Sequence, residues 1–131
     1  MEFSIDSSIS NYSLRFSNPE PEYVTINFSG VVSASARVCT YTDENGISNW
    51  LKKLASFSKP WESEIEWQSL ENQFSISASC SSLGEVHLSF QLSDMHGHPE
   101  EWQVKSSIIT DLGQLPNLAQ QAERFFKHAR T

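Results

Sequence analysis

From Phe74 to Leu92 the chain alternates apolar and polar residues, broken only by a short polar stretch at 81–84. Phe74, Ile76, Ala78 and Cys80 alternate with serines. Val86, Leu88, Phe90 and Leu92 alternate with His87, Ser89 and Gln91. Successive side chains of a strand point to opposite faces, so each run has one dry and one wet face. One-sided strands belong to antiparallel sheets, because parallel strands are covered on both faces. The Ser81 to Gly84 connection is short enough for a hairpin.

The same period recurs at Tyr12, Leu14 and Phe16; at Val24, Ile26 and Phe28; at Val32, Ala34, Ala36 and Val38; and at Trp102, Val104, Ser106 and Ile108. A second hairpin is expected near Gly30. Two segments switch to the helical period. Ile47, Trp50, Leu51, Leu54 and Phe57 form one apolar stripe, with Asp43, Asn45 and Ser48 as candidate caps and Pro60 as a stop. Leu115, Leu118, Ala119, Ala122, Phe125, Phe126 and Ala129 form another. Pro116 suits its first turn, and Lys127, His128 and Arg130 complement the dipole of its last. The expected fold is α+β. About six antiparallel strands form one meander-like sheet, packed by two helices, one after the third strand and one C-terminal.

Residues 1–131 suit one domain, which buries roughly two-thirds of the surface its unfolded chain exposes. Four Trp, eight Phe and three Tyr supply large buried areas to an otherwise lean core. A formal charge of -7 argues against nucleic acid and anionic membrane as partners, since both are bound through Lys and Arg. Two cysteines, Cys39 and Cys80, are too few for a disulfide framework. The opening MEFSIDSSIS has neither a basic region nor a long apolar run. A cytoplasmic protein with free thiols is the expectation.

Two segments carry candidate chemistry. The first runs from Trp61 to Glu71. If it is extended, Glu62, Glu64 and Glu66 share one face, with Trp61, Ile65 and Trp67 on the other. Neighbouring carboxylates repel one another unless a cation or a partner compensates. Tryptophan is favoured at binding hot spots. Trp61, Glu62, Glu64, Glu66, Trp67 and Glu71 are therefore the expected partner-binding residues; the plainer alternative is a strand edge kept soluble by charge. The second segment is the His96-Gly97-His98 tip between two strands. Its imidazoles suit a metal, but no third ligand is fixed by spacing, and a polar turn built on Gly97 and Pro99 explains it as well. Cys80 falls on an apolar face, Cys39 lies within a strand, and no nucleophile elbow or phosphate-cradling loop occurs. No catalytic residue, metal or cofactor is expected.

Trp67-Gln68-Ser69-Leu70-Glu71, the alternating strand that follows, Gly84-Glu85-Val86 and the later Trp102-Gln103-Val104 resemble a family of small bacterial domains of unknown function. The pattern is a Trp-x-Ser-x-Glu element before two strands joined around Gly-x-Val, and the likeness covers residues 37–126. The resemblance implies no activity to transfer. More loosely, small acidic α+β proteins of this kind resemble bacterial toxin-immunity proteins. The functional expectation is a non-enzymatic protein-binding domain that occludes a basic site on a toxin, as a monomer or weak homodimer. Two alternatives are a metal-dependent small-molecule binder or enzyme built on His96 and His98, and a self-assembling structural module.

Overall fold

The computed structural model describes residues 2–129, Ala129 by its backbone only, so the cation expected at Arg130 lies outside the described residues. Eight strands form two separate four-stranded antiparallel sheets, which corrects the expectation of one sheet of six. The first is the meander β1 (Glu2–Asp6), β2 (Ser13–Ser17), β3 (Tyr23–Ser29) and β4 (Ser33–Cys39). Helix α1 (Gly46–Ala55) follows the fourth strand, not the third. The second sheet is the meander β5 (Ile65–Gln68), β6 (Phe74–Cys80), β7 (Glu85–Asp94) and β8 (Trp102–Asp111). A short 3₁₀ turn leads into α2 (Leu115–Ala129).

The physical reason for two sheets lies in the one-sided strands. Each sheet presents an apolar face wider than two short helices can cover, and the two faces cover each other. Leu14, Phe16, Val24, Ile26 and Phe28 of the first sheet and Phe74, Ala78, Leu88 and Leu92 of the second are almost fully buried, in one cluster shared with both helices. Aromatic rings tie the layers together. Phe16 meets Phe74 edge-on at 6.2 Å, and Phe28 meets Phe90 at 5.1 Å. Phe3 stacks on Phe16 at 4.5 Å and receives the edge of Phe125 from α2 at 5.1 Å.

The two strands that sequence reasoning did not find are short. β1 has only Phe3 and Ile5 as inward residues, and β5 only Ile65 and Trp67. Helix α1 ends at Ala55, so Phe57 leaves the helical stripe and packs on Trp61 at 5.1 Å. The α2 face is as expected, with Leu115, Leu118, Ala119, Ala122, Phe125 and Phe126 buried. Lys52 and Glu123 pair at 3.4 Å between the two helices, with both side chains about half exposed.

One side chain closes a sheet edge. The Cys39 N–H donates to Gln73 Oε1 at 2.8 Å, and Gln73 Nε2 donates to the Arg37 carbonyl at 3.0 Å. The carboxamide thus acts as one residue of a missing neighbouring strand, satisfying the edge of β4 and joining it to the start of β6. Gln73→Ala removes both bonds and is expected to cost about 2 kcal/mol, at about 1 kcal/mol per bond. Gln73→Glu keeps an acceptor and loses the donor, so it should fall between. Urea unfolding checks both; an unchanged midpoint for Gln73→Ala would refute the sealing role.

Candidate functional site

The connections between strands divide between two ends of the molecule. At one end lie the loops at 7–12, 30–32 and 81–84, the first and last of them tied to the end of β8 by backbone bonds. Ser8 N–H donates to the Ile109 carbonyl at 2.8 Å, and Leu112 N–H to the Gly84 carbonyl at 3.0 Å. These loops contain no charged residue and expose Ile9, Val31, Val32 and Leu83.

At the other end lie residues 40–46, 69–73 and 94–101, beside the β2–β3 connection, whose Glu22 carbonyl accepts the Thr40 N–H at 2.7 Å. Gln73 bonds the end of β4, as described above. Ser93 donates its N–H to the Gln73 carbonyl at 2.8 Å and its hydroxyl to the Asn72 carbonyl at 3.3 Å. Trp67 Nε1 donates to Asp43 Oδ2 at 2.9 Å, which pins the segment before α1 to β5. These three segments carry Asp43, Glu44, Glu71, Asp94, Glu100 and Glu101, and no Lys or Arg. Among the carboxylates stand three exposed apolar side chains: Tyr41 at 52%, Leu70 at 60% and Met95 at 40% exposure. The guanidinium of Arg37, on β4 where Gln73 bonds it, is already engaged. It forks onto Glu20 with bonds of 3.0 and 3.1 Å and lies over the Tyr23 ring at 3.8 Å. That bidentate bond holds the Glu20 carboxyl below its usual range.

This end also stores backbone strain. Asn18, Thr42, Asn72 and Met95 have φ of 47°, 64°, 58° and 62°, and they are the described non-glycine residues in the left-handed region. Asparagine tolerates that conformation; a β-branched threonine and a methionine do not. Strain of this kind gathers where a surface must hold a particular shape. Thr42→Gly is expected to stabilise the protein by about 1 kcal/mol. A thermal melt reads that gain, and a lower melting temperature would mean that Thr42 makes a compensating contact.

The stretch from Trp61 to Glu71 does not form a single surface. Trp61 is only 8% exposed and donates its Nε1 to the Ala78 carbonyl at 3.2 Å, so it is a core residue. Trp67 is half-buried against Phe74 and bonded to Asp43. Neither indole projects as an anchor. Glu62 and Glu64 are exposed ahead of β5, Glu66 is exposed on the strand, and Glu71 is exposed in the turn beyond it. Of the six expected contact residues, Glu71 lies at the acidic end, where Trp67 holds Asp43 in place. Tyr41, Leu70 and Met95 escaped sequence reasoning because a lone apolar residue in a loop has no period. The signal was the absence of Lys and Arg from three separate loops that only the fold brings together.

Glu66 belongs to a different feature. The outer face of the second sheet carries a shallow depression of about 490 Å³, lined by Glu66, Gln68, Ser77, Gln91, Lys105 and Ser107 among others. Ser77 Oγ is buried there without a hydrogen-bond partner.

Chemical groups near the hairpin tip are used locally. His96 Nε2 lies 2.8 Å from Ser93 Oγ, and His98 Nδ1 accepts the Glu100 N–H at 3.0 Å. Ser93 is 3% exposed, and its hydroxyl donates to Asn72. Among the described residues no group of three or more His, Cys, Asp or Glu is placed to hold a metal ion. Cys39 and Cys80 are free thiols, and burial pushes the Cys80 thiol up. Both should label slowly with a thiol reagent at neutral pH in the folded protein and rapidly in urea. No described helix is long and apolar enough to cross a membrane.

No curated protein matches the chain. The family comparison reaches well beyond residues 37–126, taking in the first sheet and α2: residues 5–129 match the model of a family of unknown function, DUF6228, and the chain belongs to that family.

Proposed function

We propose that the protein is a non-catalytic binding domain that covers a basic site on a partner protein, in the manner of a toxin-immunity protein. The observation that carries this reading is the acidic end. Three exposed apolar side chains, Tyr41, Leu70 and Met95, stand among six carboxylates on segments without a Lys or Arg. A basic partner supplies the missing counter-charge. Carboxylates around the rim steer the encounter, while desolvated apolar groups at the centre hold the complex. The strained Thr42 and Met95 and the Trp67–Asp43 bond support the reading, because they keep the surface in shape before binding.

The test is capture of partners from the native host on the immobilised protein, at low and high salt. One basic protein should be retained in stoichiometric amount at low salt and released as salt rises. Tyr41→Ala and Leu70→Ala should each weaken it about tenfold or more. Glu71→Lys with Glu100→Lys should slow association and flatten the salt dependence. Recovery of no stoichiometric partner, or equal capture by these variants, would sink the proposal.

A further inference from the structure

β8 is hydrogen-bonded to β7 on one side and to no described strand on the other, where β1 and the residues after it approach only the Ile109 end. Ladder geometry shows which backbone groups are open. In an antiparallel strand the N–H and C=O of one residue point the same way, and successive residues alternate. The Leu112 N–H bonds Gly84 on the β7 side, and the Ile109 carbonyl accepts Ser8 on the far side. Even-numbered residues of β8 therefore bond β7, and Gln103, Lys105, Ser107 and Ile109 point outward. Ser8 occupies Ile109 with its backbone N–H and also its hydroxyl. From Gln103 to Ser107 the edge is open.

That half of β8 is also incompletely covered on its inner face. Ile108 and Thr110 are buried, whereas Trp102, Val104 and Ser106 are only half-buried. The first sheet shows what a managed edge looks like, with Gln73 closing part of β4 through the Cys39 N–H and the Arg37 carbonyl. Lys105 is the one Lys or Arg in the four strands of the second sheet, and it points outward beside the polar depression. In a two-fold pairing of β8 centred on Lys105, two lysines would face each other, which disfavours a second copy in that register.

We propose that the open edge of β8 takes an extended segment of a partner protein as a fifth strand, with a carboxylate opposite Lys105 and an apolar side chain covering Val104. Main-chain bonds to Gln103, Lys105 and Ser107 give the affinity, and the alternation of the segment gives the selectivity. This surface is separate from the apolar-and-acidic contact proposed above and does not depend on it.

The probe is a short synthetic peptide alternating Glu and Val, added at millimolar concentration to the isotope-labelled full chain. Amide exchange at Gln103, Lys105 and Ser107 should slow about tenfold or more, while Val104 and Ser106, already bonded to β7, should not change. A backbone N-methylated peptide should have no effect, and Lys105→Glu should weaken the Glu-containing peptide at least several-fold. Ser107→Pro removes only an outward N–H, so it should keep the fold and abolish peptide protection; Ser106→Pro should unfold the protein. Glu71→Lys with Glu100→Lys should leave peptide binding within about twofold, which separates this proposal from the previous one. The inference is overturned if the peptide protects none of the outward amides, if Ser107→Pro still binds it, or if the free protein sediments as a dimer with those amides already protected.

Discussion

Phe74→Ala is expected to cost about 4 kcal/mol and to lower the melting temperature by well over ten degrees. The ring is fully buried and touches Phe16 of the first sheet at 6.2 Å, Phe90 of its own sheet at 6.4 Å and Trp67 of β5 at 6.3 Å. Removing it opens a cavity at the point where the two sheets meet, and partial collapse recovers only part of the lost contact. A domain of this size has about 5–15 kcal/mol in total, so the loss is a large fraction of it. Urea unfolding should show a lower midpoint at an unchanged slope. A loss below about 1 kcal/mol would mean that the sheets do not rely on this contact. Ile109→Ala, half-buried on the outer face, should cost much less.

Gly46→Ala should destabilise by about 2 kcal/mol, although alanine in place of glycine ordinarily favours a helix by up to about 1 kcal/mol. Gly46 opens α1 and is buried, and a Cβ there would overlap Trp67 Nε1 and Asp43 Oδ2, the two atoms of the bond that joins α1 to β5. The indole must move or the bond must break. Trp67→Phe removes the nitrogen that stands in the way, so Gly46→Ala should cost less in that background. A double-mutant cycle measures the difference, and additive effects would place the cost elsewhere. The same bond holds residues 40–46 at the acidic end, so Gly46→Ala should also weaken the binding proposed for Tyr41.

Legibility followed the length of each pattern. β6 and β7 were readable because alternation ran for seven and ten residues, and α2 because six apolar residues shared a face. β5 was not, because a strand of four residues that includes Trp67 is too short to establish a period. Trp61 looked like a surface residue for the same reason. Its burial depends on the Ala78 carbonyl, which is distant in sequence. Glu62, Glu64 and Glu66 suggested one acidic face only on the premise of an extended strand, and the strand begins after Glu64. The acidic end was illegible because its carboxylates are spread over three loops.

By itself, the sequence determined the local states: one-sided strands, two amphipathic helices and tight polar turns. Each follows from side-chain period and turn chemistry over a few residues. It also determined the negative charge and the dry faces that had to be covered. Only the tertiary structure decided what covers them. One sheet backed by two helices and two sheets backing each other are locally identical, since every strand in both is apolar on one side. The choice rests on long-range contacts such as Phe16 with Phe74 and Phe28 with Phe90. The same packing gathers Tyr41, Leu70 and Met95 among carboxylates and leaves half of β8 open. The first surface belongs to no single stretch of chain, and the second depends on the order of strands in the sheet, so no local pattern could announce either.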